Sequence, residues 1–242
     1  MSNKSEAEFD EFVGGRFRMT LRRDLGSHAE SLLQTIRGLR EADVPGVGGR
    51  ASVHRVKLDG DLEVMVRRSL RGGMARHLVS DLFVGIEPRP LGELAVTIEA
   101  RRRNMRVAEP VGAVIEWIAP VIYRGWFVTR PLSGMTLWEF MQTDDDPAVR
   151  GHVLMSTRES ISDIEQQGLL HPDLNLQNLF VTKDGEKLVV VILDLDKARF
   201  LDWPLPAALR QRQSERLARS AKKLDPARKH FDAKAFSILE IG

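Results

Sequence analysis

A single stretch, from His171 to Asp196, limits what this chain can fold into. It begins with a His-Pro-Asp triplet ending at Asp173, reaches Asn178, and then passes through an apolar strand to Asp194. Asp173 can accept the proton of an attacking hydroxyl, while Asn178 and Asp194 can hold Mg²⁺ against nucleotide phosphates. Phosphoryl transfer depends on positioned charges more than on covalent chemistry. This set of side chains therefore predicts a phosphotransferase site.

The spacing matches the protein-kinase template H-x-D-x-x-x-x-N, followed by a strand and a metal-binding Asp. Between the two parts, Asp184-Gly185 predicts the turn of a β-hairpin. An ordinary acidic turn before a hairpin is the alternative, but it does not require an Asp, an Asn and a second Asp at these distances. We therefore expect the α+β class: a kinase-like fold of two lobes, with a β-rich N-lobe and a small, mostly helical C-lobe.

A glycine-rich turn upstream is a candidate for covering a nucleotide. Residues 45–49 have the sequence PGVGG, in which Gly46, Gly48 and Gly49 would let the backbone come close to phosphates. Such a turn alone indicates no more than a loop. Its position before two predicted strands, joined at Asp59-Gly60, is the order expected of a kinase N-lobe.

A cation on the second of these strands is the candidate phosphate anchor. The strand ends at Arg67, where a protein kinase carries a lysine that grips the phosphates. On the helix predicted from Leu91 to Val107, either Glu93 or Glu99 can form the ion pair with this cation. For each glutamate taken alone, a surface position is an equally good expectation.

We expect three segments along the chain. Residues 1–43 are an N-terminal extension, helical or partly flexible, in which the spacing of Leu32, Leu33, Ile36 and Leu39 predicts one amphipathic helix. Residues 44–134 form the N-lobe and hinge. Residues 135–242 form a reduced C-lobe ending in a basic helix. No large helical lobe and no A-P-E motif follow Asp196, so the full set of elements with which protein kinases bind a peptide substrate does not fit in the remaining chain.

The composition limits the compartment and the kind of site. Of the 242 residues, 43% are hydrophobic, which is enough for one large domain or two small lobes. The chain contains no cysteine, so disulfides and thiolate metal sites are excluded. No run of about 18 apolar residues occurs, and the polar N-terminus does not resemble a signal peptide. We therefore expect a cytoplasmic protein.

The chain resembles the lipopolysaccharide core kinase family, and most of all its 3-deoxy-D-manno-octulosonic acid (Kdo) kinases, from about residue 46 to residue 223. The specific pieces are Asp-Leu-Asn-x-x-Asn at 173–178 and Asp-x-Asp-Lys at 194–197. Further matching segments are Val66–Gly73, Asp81, Arg89, Glu93, Glu109–Val111 and Arg216–Ser220. The chain departs from the family at Arg68-Ser69, where a His-Tyr pair is usual, and at Leu195, where an aromatic residue is usual. These departures leave the acceptor open between Kdo, a heptose and another cell-envelope sugar.

The resemblance implies an ATP-dependent kinase that phosphorylates a sugar hydroxyl of the lipopolysaccharide inner core and uses Mg²⁺. Asp173 would be the catalytic base, and Asn178 and Asp194 the magnesium ligands. Asp196 would be a second metal ligand or an acceptor contact. Arg67 would take the lysine position, with Glu93 as its helix partner.

Other functions stay open from the sequence. A kinase with a protein or small-molecule acceptor would share the same motif. A non-catalytic kinase-fold binding module would explain an arginine at the lysine position, although the complete set of Asp173, Asn178 and Asp194 argues against it. Acceptor screening separates the first alternative, and a test for magnesium-dependent ATP binding separates the second.

The uneven distribution of charge along the chain indicates what kind of partner it binds. The formal net charge is only +2, but residues 199–234 contain ten Lys or Arg against four Asp or Glu. This basic tail suggests an anionic partner, such as a membrane surface or an anionic glycolipid, and hence a peripheral position on the inner face of the inner membrane. A nucleic-acid partner is not expected, since no reader motif or aromatic-rich basic groove is present and the chain has a single Tyr.

Overall fold

The computed structural model describes residues 8–42, 53–70, 81–201 and 203–241. The chain divides into two compact units. Unit 1 comprises Met1–Ala95 and Glu109–Pro131, and unit 2 comprises Val96–Ala108 and Leu132–Gly242. The expected glycine-rich turn, with Gly46, Gly48 and Gly49, lies outside the described residues.

Unit 1 is built on an antiparallel sheet. Seven strands form this sheet within the described residues: β1 (Phe9–Gly14), β2 (Phe17–Arg22), β3 (Val53–Lys57), β4 (Glu63–Arg68), β5 (Phe83–Val84), β6 (Pro110–Ala119) and β7 (Ile122–Thr129). They run in the order β1-β2-β6-β7-β4-β3, and β5 also pairs with β7. Because side chains alternate across a strand, each face of this sheet can bury its own apolar set.

One helix covers each face of the sheet. Helix α1 (Ala29–Ala42) follows a 3₁₀ turn at Arg23–His28, and its Leu32, Leu33 and Ile36 share one core with Val64, Val66, Val114, Trp126 and Val128. Leu91, in the first turns of helix α2 (Arg89–Arg102), packs on the other face against Ile115 and Tyr123. A second 3₁₀ turn, Asp59–Asp61, joins β3 to β4.

Helix α2 ends earlier than the expected Val107 because a left-handed residue closes it. Asn104 has φ +59°. Its N–H donates to Arg101 O at 2.9 Å, and the N–H of Met105 donates to Ala100 O at 3.0 Å. This pair of hydrogen bonds is a Schellman motif, with Asn104 in the place usually taken by glycine.

Unit 2 is mostly helical and carries two small sheets. Its further helices are α3 (Leu137–Thr143), α4 (Pro147–Gln166), α5 (Ala207–Leu224) and α6 (Ala233–Leu239). The strands β8 (Gly134–Thr136), β10 (Leu179–Asp184) and β11 (Lys187–Ile192) form one sheet, and β9 (Leu169–Leu170) pairs with β12 (Arg199–Phe200). One apolar core joins these helices to the larger of the two sheets.

Local sequence signals define both ends of helix α4, the element directly before the candidate site. Asp146 caps its N-terminus, accepting a hydrogen bond from the N–H of Ala148 at 2.8 Å, and Pro147 is its first residue. Gly168, with φ +79°, follows its C-terminus and turns the chain into β9. The chain then enters the stretch that begins at His171.

The division into units differs from the expected segments at two places. Residues 9–22 are not an extension beside the N-lobe, because β2 pairs with β6 from Phe17 to Leu21 and becomes an inner strand of the sheet. The end of α2 belongs to unit 2, because Ala100, Met105 and Val107 are buried in its core. Hydrogen bonding across the chain, rather than local sequence, decides both assignments.

No helix in the described ranges is long and apolar enough to cross a membrane.

Candidate active site

The loop after β9 is fixed by one buried imidazole. His171 is fully buried, and its Nδ1 accepts a hydrogen bond from the N–H of Asp173 at 3.2 Å. Its Nε2 lies 3.0 Å from Leu193 O and therefore carries the proton. Burial lowers the pKa of His171, which favours this neutral form. The imidazole thus connects the loop of Asp173 to the segment that leads into Asp194.

Two asparagines complete the loop. The side chain of Asn175 accepts hydrogen bonds from the N–H groups of Gln177 and Asn178, at 2.9 and 3.2 Å. The Nδ2 atoms of Asn175 and Asn178 both donate to Asp173 O, each at 2.9 Å. Three hydrogen bonds therefore hold the backbone of Asp173, while its side chain is exposed to solvent. An exposed, well-positioned carboxylate is what a general base for an incoming hydroxyl requires.

The two aspartates after β11 follow directly from this loop. The N–H of Leu193 donates to Asn178 O at 2.8 Å. Asp194 directly follows Leu193, so this hydrogen bond holds the backbone of Asp194 beside that of Asn178. Asp194 has φ +59°, a left-handed conformation that is uncommon for a residue other than glycine and that occurs often at functional sites. Leu195 is 3% exposed and packs into the core of unit 2, so Asp194 and Asp196 flank a buried anchor.

The donor set here fits a hard divalent cation. The Nδ2 of Asn178 is bonded to Asp173 O, so its amide oxygen is the atom that can bind a cation. Together with the carboxylates of Asp194 and Asp196, this gives oxygen ligands of the kind that Mg²⁺ prefers. Among the described residues there is no cluster of three or more His, Asp or Glu that could hold a metal. Magnesium sites of nucleotide enzymes commonly combine one or two carboxylates with substrate phosphates.

The candidate phosphate anchor lies in unit 1. Arg67, near the end of β4, donates through its Nη2 to both carboxylate oxygens of Glu93 on α2. The side chain of Glu93 is 2% exposed and that of Arg67 is 20% exposed, so the pair is mostly buried. Glu99 instead pairs with Arg103 one helical turn away, at 2.7 Å, with both side chains 37% exposed. Of the two glutamates expected as partners, Glu93 is the one that contacts Arg67.

A second ion network lies on the other face of the same sheet. Asp81 accepts hydrogen bonds from both Arg68 and Arg124. Arg124 also reaches the fully buried Glu116 at 3.4 Å, and Arg16 contacts Glu116 at 2.7 Å. Sequence reasoning found Asp81 only as a family marker. The alternation that places Arg68 opposite Arg67 was the available signal for this network.

The comparisons with known proteins agree with this geometry. The model of the lipopolysaccharide kinase (Kdo/WaaP) family matches residues 40–237. The chain belongs to this family. Members of the Kdo/WaaP family are kinases that transfer phosphate from ATP to sugar hydroxyls, and this member acts on sugars of the lipopolysaccharide core. The function and enzyme class expected from the sequence are confirmed.

A solved structure, described as WaaP in complex with acyl carrier protein, is similar over 92% of this chain and 92% of that chain. The TM-score is 0.55 at 16% sequence identity, a likeness that concerns the fold alone. It confirms the α+β kinase-like fold. No curated protein matches the chain significantly.

Proposed function

We propose that Asp173 is the general base of phosphate transfer to a sugar hydroxyl of the lipopolysaccharide inner core. The observation that carries this proposal is the fixed backbone around Asp173, held by His171, Asn175 and Asn178 while the carboxylate stays exposed. The acceptor hydroxyl gives its proton to Asp173, and its oxygen forms the new bond to the γ-phosphorus of ATP. The bond from that phosphorus to the β,γ-bridging oxygen breaks, and ADP leaves.

We also propose that Asn178 and Asp194 hold Mg²⁺, with Asp196 as a further ligand or as a contact to the acceptor. Bound Mg²⁺ would neutralise charge on the transferring phosphate. Asn178 has its amide nitrogen turned to the loop, and Asp194 is held next to it by the hydrogen bond from Leu193. In this proposal Arg67, oriented by Glu93, contacts the nucleotide phosphates. The glycine-rich turn of Gly46, Gly48 and Gly49 remains a prediction.

The decisive experiment is phosphate transfer from ATP to a lipid A precursor that carries Kdo, read by mass spectrometry. The unmodified protein should add the mass of one phosphate, and Asp173→Ala should add none while still binding ATP. Retained turnover in Asp173→Ala would exclude Asp173 as the base. If the unmodified protein leaves the Kdo acceptor unchanged, heptosylated acceptors are tested next, since the departures from the family at Arg68-Ser69 and Leu195 leave the acceptor sugar open.

We propose further that the outer face of helix α5 lies against an anionic membrane surface. Arg212, Arg216, Arg219 and Lys223 are exposed and follow each other at helical spacing, whereas the opposite face is buried. Trp203, just before the helix, is 74% exposed. A basic helical face beside an exposed tryptophan is typical of proteins that bind at a lipid interface. The acceptor of a lipopolysaccharide kinase is itself lipid-anchored, which supports the same placement.

A further inference from the structure

Two side chains of helix α5 accept hydrogen bonds from the loop that carries Asp173. The side chain of Gln213 is buried, and its Oε1 accepts a hydrogen bond from the N–H of His171 at 2.6 Å. Two helical turns later, Ser220 Oγ accepts from the N–H of Leu176 at 3.2 Å. Both contacts are made to backbone N–H groups of the loop. Buried backbone donors require such partners, because the loop has no strand or helix to satisfy them.

Gln213 is itself held from the other side. Because its Oε1 accepts from a backbone N–H, its Nε2 must point the other way, where it donates to Glu165 Oε1 on α4 at 3.2 Å. Glu165 is mostly buried, and burial raises its pKa. The amide therefore connects three separate pieces of chain: helix α4, helix α5 and the start of the loop.

We propose that Gln213 is a positioning residue for phosphate transfer: its amide clamps the backbone of His171 to Glu165 and so fixes the loop that carries Asp173. The inference rests on the role proposed above for Asp173. Gln213 is 2% exposed and bonds to the rear of the loop, so it acts through His171 rather than on a reacting atom. Without the clamp, His171 keeps its ring contacts but loses the fixed position of its own backbone.

The main test replaces Gln213 by methionine, which fills nearly the same volume without hydrogen-bonding groups. We expect kcat to fall roughly 10- to 100-fold, since small misplacements of a catalytic group have effects of this size. The KM for ATP should change less than about threefold, because the hydrogen bond from Leu193 N–H to Asn178 O, beside Asp194, does not involve Gln213. The matched control is Gln211→Met on the same helix, where the glutamine is exposed and its side chain donates to Glu215 one turn along the helix.

Amide hydrogen exchange over residues 171–178 provides a readout that needs neither ATP nor acceptor. Exchange in this peptide should be faster in Gln213→Met than in Gln211→Met, at a temperature where both variants are folded by circular dichroism. Equal exchange in the two variants, or an unchanged kcat in Gln213→Met, would overturn the inference. Because exchange is independent of turnover, it separates a failure of the clamp from a failure of Asp173 as the base.

A third variant, Gln213→Glu, separates the hydrogen bond from packing. Its carboxylate can still accept from His171 N–H, but it then faces Glu165, and the two carboxyl groups must share a proton. Arg158, Arg210 and Glu240 are further charged groups that act on Glu165. We expect kcat within about fivefold of the unmodified enzyme at low pH, and a loss of kcat on raising the pH that the unmodified enzyme lacks. The same kcat as Gln213→Met at every pH would overturn the inference.

Discussion

Arg67 is the residue that we propose in place of the lysine of protein kinases, and its planar guanidinium forms an ion pair of different geometry. An ammonium group is a compact charge, whereas the guanidinium presents donors in a fixed fork. In this chain one end of the fork is bonded to both oxygens of Glu93. Glu93 therefore sets the direction in which the rest of the guanidinium points.

Removing the charge of Glu93 should lower both the stability of the protein and its catalytic efficiency with ATP. We expect Glu93→Gln to lower the free energy of unfolding by about 2 kcal/mol, because a mostly buried arginine loses its charged partner. The kcat/KM for ATP should fall at least about tenfold. Glu99→Gln is the matched control on the same helix, where the half-exposed pair with Arg103 contributes at most about 0.5 kcal/mol. Similar losses in both variants would show that Glu93 has no special role.

His171 gives a prediction for the pH dependence of stability. Its pKa in the folded protein is lowered by burial, so below about pH 6.5 the unfolded chain binds a proton that the folded chain does not. Stability should therefore fall as the pH is lowered from about 7 to 5, with a slope of up to about 1.4 kcal/mol per pH unit from this group. Glu165, whose pKa is raised by burial, contributes with the opposite sign above its ordinary pKa.

Replacing His171 isolates its share of this dependence. Urea unfolding between pH 5 and 7 should show a smaller slope of stability against pH in His171→Asn than in the unmodified protein. The variant should also be less stable at pH 7, where the hydrogen bonds to Asp173 and Leu193 are lost. An identical slope would mean that another group titrates in this range.

At the scale of single residues, the motif positions were predictable and their support was not. The spacing of Asp173, Asn178 and Asp194 matches the protein-kinase template, so the sequence alone indicates these positions. Gln213 lies some forty residues later in a helix dominated by arginines, and no local pattern distinguishes it. Only the burial of one face of α5 reveals it.

At the scale of elements, the predicted turn at Asp184-Gly185 is confirmed, and the sequence contains further signals that act locally. The β10–β11 hairpin turns at Gly185, which has φ +60°, and Pro147 and Gly168 mark the two ends of helix α4. The run of three aspartates before α4 proves to contain its N-cap, Asp146. Each of these signals acts within a few residues, which is why sequence alone contains them.

Helix α5 allows a charge-matched test of membrane binding. Arg212→Gln with Arg216→Gln removes two charges from the exposed face, and Lys183→Gln with Lys187→Gln removes two exposed charges at the β10–β11 hairpin. On vesicles containing anionic lipid, the first variant should bind roughly 30-fold more weakly, since each basic group near such a surface contributes about 1 kcal/mol. The second variant should bind as the unmodified protein does.

Two further measurements complete this experiment: the salt dependence of vesicle binding, and the binding of acyl carrier protein. Binding of the unmodified protein should weaken as salt is raised, because exposed charges are screened. Equal binding by the two variants would contradict a role for this face. Acyl carrier protein, the partner named for the solved WaaP structure, can be added in place of vesicles. Loss of its binding, but not of vesicle binding, in the first variant would assign this face to a protein partner instead.

At the scale of the whole molecule, the N-terminal strands show the limit of sequence reasoning. The family model begins at residue 40, after β1, β2 and nearly all of α1, yet β2 is an inner strand of the unit 1 sheet. Phe17, Met19 and Leu21 alternate with polar residues, which was a usable strand signal. Their partner strand, β6, lies about ninety residues away, and no local pattern specifies such a pairing.

Because β2 lies in the core of unit 1, truncating one of its buried side chains should lower the stability of that unit strongly. Leu21 is 1% exposed and shares a core cluster with Trp126. Leu21→Ala should lower the stability of unit 1 by about 3 kcal/mol, through lost burial and the cavity that remains. Val13→Ala on the adjacent strand β1 is the control, because Val13 is 70% exposed and its truncation should cost less than about 0.5 kcal/mol.

Urea unfolding followed by tryptophan fluorescence, with Trp138 and Trp203 of unit 2 replaced by phenylalanine, reports on unit 1 alone. In that background Leu21→Ala should shift the midpoint to lower urea without changing the slope, because the loss lies in the folded core. If Leu21→Ala and Val13→Ala shift the midpoint equally, β2 does not pack as an inner strand. A shift confined to Leu21→Ala means that residues outside the family match contribute to the core of unit 1.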